Sequence, residues 1–132
     1  MDVIITEWAL QSYLDLLAAQ AFTPKEYWAV IRPDVELLKS DYPNGVKFQN
    51  NKFWGPSKIG NQNVADGFKM KWHNMGNAGV QLRVSIAILG PSAFLCRGFV
   101  KDSDHTDRRE AIKLKAHIEF IKQGKYTLRG RL

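Results

Sequence analysis

Basic side chains at strand-like spacing are the residues of this chain best suited to chemistry. Lys69, Lys71 and His73 alternate with Phe68, Met70 and Trp72. Period-two spacing places the three polar groups on one face of a strand. Arg83 lies in a second alternating run, Arg97 and Lys101 share a face of a third, and His105 sits in the polar turn that follows. Such a set fits metal-free cleavage of RNA. The 2′-OH attacks the adjacent phosphate and a base takes its proton. An acid protonates the leaving 5′-oxygen, while cations hold the added negative charge. His titrates near neutrality. Lys serves as a base only where burial or other cations lower its pKa. Arg stays charged and clamps phosphate. Lys71, His73, Arg83, Lys101 and His105 are therefore candidate catalytic residues, with base and acid left open between them. Lys69, Arg97, Arg108 and Arg109 are candidate phosphate contacts.

Other chemistries find no support. Gly-x-x-x-x-Gly-Lys, Gly-x-Ser-x-Gly and His-Glu-x-x-His are all missing. Three widely spaced histidines and one cysteine argue against a structural zinc site. Residues 42–101 hold a single carboxylate, Asp66, which argues against a two-metal nuclease. No metal or other cofactor is expected. Trp54 and Trp72 could stack a base, but core packing is the stronger expectation for both, as it is for Cys96 and His117.

The elements that must carry these groups follow from periodicity. Val3–Ile5 reads as a short strand, and Thr6 caps a helix over about residues 7–20 with an apolar stripe of Leu10, Tyr13, Leu14, Leu17, Ala18 and Ala21. Thr23-Pro24-Lys25-Glu26 is a capping box that starts a second helix with Tyr27, Val30, Ile31, Val35 and Leu38 inward and a kink at Pro33. Residues 46–54 read as a loose strand and 55–63 as a loop. Strands follow at 68–73, 80–88 and 93–101, separated by turns at 74–79 and 90–92. Asp107 and Glu110 suggest a capping box for a last helix running to about Gln123, with Gly124 after its end and a basic tail, 125–132, that frays.

Charge is divided along the chain. Residues 1–41 carry three basic and seven acidic side chains, a net of −4. Residues 42–101 carry eight basic and one acidic, a net of +7, and residues 102–132 eight and five, a net of +3. That division suggests a polyanion-binding face on the basic part. With 132 residues the chain should form one domain, 1–132. No apolar run approaches the roughly 20 residues of a membrane span. The N-terminus lacks a signal-peptide pattern and Cys96 has no partner cysteine, so a cytoplasmic location is expected.

The stretch 93–112 carries a family resemblance. It runs from an apolar strand through Arg97-Gly98-Phe99-Val100-Lys101 into a polar turn and a helix start. This resembles the last strand and helix of the HigB and RelE bacterial toxins, where Gly-Phe-x-Lys-Lys-x-x-x-Thr-Pro-x-x-Glu is typical of the HigB branch. Gly98, Phe99, Lys101, Thr106 and Glu110 match, while Asp102 and Asp107 replace the second Lys and the Pro. Lys69-Met70-Lys71 stands where the family often ends a strand in a Glu-Leu-Arg-like triplet, and Arg83 matches the Arg opening its next strand. Tyr126 is similar in place to a C-terminal Tyr some of these toxins use near the scissile phosphate. Residues 45–63 exceed the family length.

The resemblance implies an α+β fold of RelE/ParE type: a small twisted, mostly antiparallel sheet with two N-terminal helices and one C-terminal helix. It implies the toxin of a toxin–antitoxin pair, an endoribonuclease that cleaves messenger RNA at the ribosome and so inhibits translation. A ParE-like gyrase inhibitor and a non-catalytic nucleic-acid-binding module on the same fold are the alternatives. The implied partners are messenger RNA, the ribosome and a cognate antitoxin, itself DNA-binding. Complementarity to the +7 region asks for an acidic inhibitory segment on that antitoxin.

Overall fold

A mostly antiparallel sheet divides the molecule into two layers of helix, as a computed structural model of residues 1–132 describes it. The chain runs β1 (Asp2–Thr6), α1 (Glu7–Ala18), α2 (Pro24–Glu26), a π-helical turn (Tyr27–Ile31) and α3 (Arg32–Ser40). After a 3-10 turn (Val46–Gln49) come β2 (Trp54–Ile59), β3 (Gln62–Met75), β4 (Val80–Leu89), β5 (Ser92–Lys101), α4 (Asp104–Lys122) and β6 (Leu128–Arg131). The six strands lie in the order β2-β3-β4-β5-β1-β6, and only β1 and β5 are parallel. No helix is long and apolar enough to cross a membrane.

Alternation along the strands explains the two layers. Val3, Met70, Trp72, Leu82, Ile86 and Leu95 face α1 to α3 and pack with Ile31, Val35 and Leu38. Ile4, Ala87, Phe94 and Cys96 face the other way and pack with Ala111, Leu114, Ile118 and Ile121 of α4. Cys96 is fully buried, and burial pushes its thiol up to about 12, so it acts as a small core residue. Trp54 and Trp72 are core as expected, and the Trp72 Nε1–H donates to buried Asp34 at 2.9 Å.

The helical layer differs in detail from its sequence pattern. In α1 the inward row is Ala9, Tyr13, Leu16 and Leu17, partly buried, with Ser12 the one fully buried residue, and Leu10 and Leu14 are exposed. A polar residue conceals that row: the Ser12 Oγ accepts from Gly98 N–H at 2.9 Å and donates to Ala9 O. The capping box at Thr23 and Glu26 forms. Pro33 acts upstream of itself. With no N–H to give and a ring that crowds the carbonyl four residues back, it is preceded by a π turn in which Arg32 N–H reaches Tyr27 O. The turn rotates Val30 outward.

Residues 46–63 depart most. Residues 46–49 coil instead of extending, and 55–59, expected as loop, continue from Trp54 as the edge strand β2. Pro56 is tolerated there because an edge strand leaves one side of its backbone unpaired. Trp54 stacks on Phe68 at 5.2 Å and fastens the strand. The tail is also ordered: β6 pairs antiparallel with β1 and covers an edge that would otherwise be open.

Candidate phosphate-binding site

Three neighbouring strands bring four cations to one end of the α4-facing side of the sheet. Lys69 pairs with Ser85, which pairs with Arg97; Lys71 pairs with Arg83, which pairs with Phe99; Gln81 pairs with Lys101. The bulge between Ser85 and Ile86 moves Cys96 and Arg97 onto the same face. Below this row the face is apolar under α4. Toward its other end the face carries the cations Lys69, Lys71, Arg83 and Lys101, with Arg97 and buried Phe99 among them.

The first turns of α4 close over this end. Ser103 is the N-cap, its Oγ accepting from Thr106 N–H, and the helix starts three residues before the expected capping residue. The winning cap is Ser103, because the turn ends there rather than at Thr106. Asp107 is therefore one turn inside the helix. Its Oδ2 lies 2.9 Å from Lys101 Nζ and 3.4 Å from Lys69 Nζ. Burial pushes the Asp107 carboxyl up, but the hydrogen bond from Lys101 and the charges of Lys69 and Lys101 outweigh it and hold the group below its usual value. Exposed Asp104 stands 3.7 Å from Lys101 Nζ.

Lys71 is the one amine here whose environment favours loss of a proton. Its Nζ donates to Asn51 O at 2.7 Å. Burial, then the charges of Lys69 and Arg83, lower its pKa, with Asp107 opposing. Gly55 of β2 lies alongside, where a Cβ would sit in ordinary contact with Nζ at 3.5 Å. Within residues 45–63, the stretch in excess of the family length, Asn51 O accepts from Lys71 and Lys52 O contacts His73.

The remaining candidates separate. Arg83 is only 6% exposed, not a surface clamp. It donates to Trp72 O at 3.2 Å, Leu82 O at 3.1 Å and Gln81 Oε1 at 3.3 Å, and its Nε is buried with no partner. His73 is held at both nitrogens, by Gln81 Oε1 at 2.6 Å and Lys52 O at 2.7 Å. It is thus anchored rather than free to shuttle a proton. His105 is exposed in the first turn of α4 and makes no hydrogen bond. Arg97 is tied to Glu110 at 2.5 Å. Arg108 and Arg109 are exposed on α4, and Arg109 borders a polar groove of about 240 Å³ beside Arg97 and Lys113. Tyr126 packs edge-on against Phe94, a structural contact.

Two features had no clear sequence signal. Gln81, read only as a polar strand position, links His73 to Arg83. Asp107, read as a cap, is the carboxylate that joins two strands to α4. On the opposite face an apolar groove of about 270 Å³ opens between α1 and the π turn, bordered by Leu10, Tyr13, Tyr27, Trp28 and Ile31. Comparison with protein-family models, curated proteins and solved structures gives no significant match.

Proposed function

We propose that this chain is an endoribonuclease of RelE/HigB type, the toxin of a toxin–antitoxin pair, acting on messenger RNA in the cytoplasm. The observation that carries the reading is the clustering of Lys69, Arg83 and Lys101 around Lys71, whose pKa burial and these charges lower. Lys71 takes the 2′-OH proton, and Lys69, Lys101 and Arg83 stabilise the charge of the transition state. His105, free at the rim, gives a proton to the leaving 5′-oxygen. The layering, with helices of the N-terminal half on one face of the sheet and α4 on the other, supports a RelE/ParE-like fold. An antitoxin with an acidic segment complements the cluster, and the groove beside Trp28 offers a seat for its apolar anchors.

A non-catalytic nucleic-acid-binding module is the second reading, favoured by the pairing of Lys69, Lys101 and Arg97 with α4 carboxylates. Expression without a partner separates the two. The toxin reading expects growth arrest with loss of intact messenger RNA. Continued growth while folded protein accumulates contradicts it.

A further inference from the structure

Four cations share the end of the sheet face, and one partly buried carboxylate, Asp107, stands among them. Lys69 and Lys101 both turn to Asp107 Oδ2, at 3.4 and 2.9 Å. The other carboxylate in reach of Lys101, Asp104, is fully exposed and 3.7 Å away, so it contributes little. Two polar atoms are left over. Asp107 Oδ1 is buried without a donor, and Arg83 Nε is buried without an acceptor. Arg83 is more than nine-tenths buried on the same face as Lys69, Lys71 and Lys101. A buried donor left unsatisfied costs on the order of 1–3 kcal/mol. The carboxylate therefore serves two ammonium groups, and its charge also acts on Arg83, whose Nε–H has no acceptor.

A phosphodiester suits these donors better. It carries the same charge as Asp107, but its two non-bridging oxygens diverge and accept from several donors at once. We propose that the space now filled by the Asp107 carboxylate is a phosphate subsite, with Lys69, Lys101 and Arg83 as its donors, and that Asp107 is an internal anion which a substrate phosphodiester displaces. The inference rests on the RNA-binding part of the function proposed above and not on cleavage. Asp107 lies one turn into α4 and its side chain is 17% exposed, so rotation takes the carboxylate to solvent. In free protein it keeps the two lysines at the site. On binding it yields to the ligand, which makes it a brake on affinity.

The test uses a 2′-O-methyl oligonucleotide, which binds like RNA but has no 2′-OH to attack. Calorimetric titration of the whole chain, over a salt series, compares wild type with Asp107→Asn and Asp104→Asn. Asp107→Asn should bind about tenfold more tightly at every salt concentration, with the log K against log salt slope unchanged, because both proteins form the same phosphate contacts. Asp104→Asn should stay within about twofold of wild type. Equal or weaker binding by Asp107→Asn, or no binding by any of the three, overturns the proposal. A measurement on wild type guards against misfolding of the variant: carboxyl NMR of Asp107 should show its titration midpoint rise when the oligonucleotide is bound. An unchanged midpoint overturns it equally. Oligonucleotide binding as expected, with ordinary RNA left intact, rejects the ribonuclease reading and leaves the subsite standing.

Discussion

Replacing Lys71 by Met removes the amine and keeps the length of the side chain. The lost hydrogen bond is the one to Asn51 O, a carbonyl on an exposed residue that can turn to water, so its cost is at most about 1 kcal/mol. Against that, the substitution removes a cation held close to Lys69, Arg83 and Lys101, with Asp107 the one opposing charge. The two effects together should leave the variant more stable by roughly 0.5–1 kcal/mol, in the range usual when a strained functional residue is removed. Unfolding entropy of about 2.1 cal/mol/K per residue over 132 residues converts 1 kcal/mol to about 4 °C in Tm. The difference narrows as pH rises. The folded pKa of Lys71 lies below 10.5, so the unfolded chain binds the proton more tightly. Wild type therefore gains stability as pH rises through the window below 10.5, and the variant lacks that gain. Cleavage should fall about 10²- to 10⁴-fold, the usual contribution of a general base, or about 3–5 kcal/mol of barrier. Thermal unfolding at pH 7 and pH 9.5, with cleavage rates on a defined messenger, provides the assay. A variant that melts several degrees below wild type, or cleaves at the wild-type rate, refutes the reasoning.

The packing and titration of α4 yield further expectations. Leu114 is fully buried between α4 and the sheet, and Leu114→Ala should cost about 2–5 kcal/mol in chemical denaturation; a loss under about 1 kcal/mol would mean that α4 is not docked as described. His117 stacks on Trp8 at 4.0 Å with its Nδ1 buried and unpartnered, and burial, then the charge of Arg97, lowers its pKa. The unfolded chain then binds the proton more tightly below pH 6.5, so stability should fall as pH drops through that window and flatten in His117→Phe. An equally steep profile in that variant assigns the effect to another group.

Much of the sheet was legible in the sequence, because β4 and β5 alternate cleanly and each side of the sheet has its own apolar set. The faces of Lys69, Lys71 and His73, and of Arg97 and Lys101, followed from the period of two. Three things were hidden. Edge strands β2 and β6 carry Gly, Pro and Arg, residues that read as loop and become strands only through pairing with β3 and β1. The inward row of α1 was masked by Ser12, whose burial depends on a hydrogen bond to Gly98, 86 residues away. The burial of Arg83 and the bridging role of Asp107 depend on where α4 crosses the sheet, a tertiary fact that no local pattern encodes.

The chemistry of the ends formed is the most direct measure of the central claim. Purified protein is incubated with ribosomes and a defined messenger, and the products are mapped and their termini identified. Attack by the 2′-OH, with Lys71 as base, predicts 5′-hydroxyl ends and 2′,3′-cyclic or 3′-phosphate ends, lost in Lys71→Met. An intact messenger, or products bearing 5′-phosphate, would contradict it.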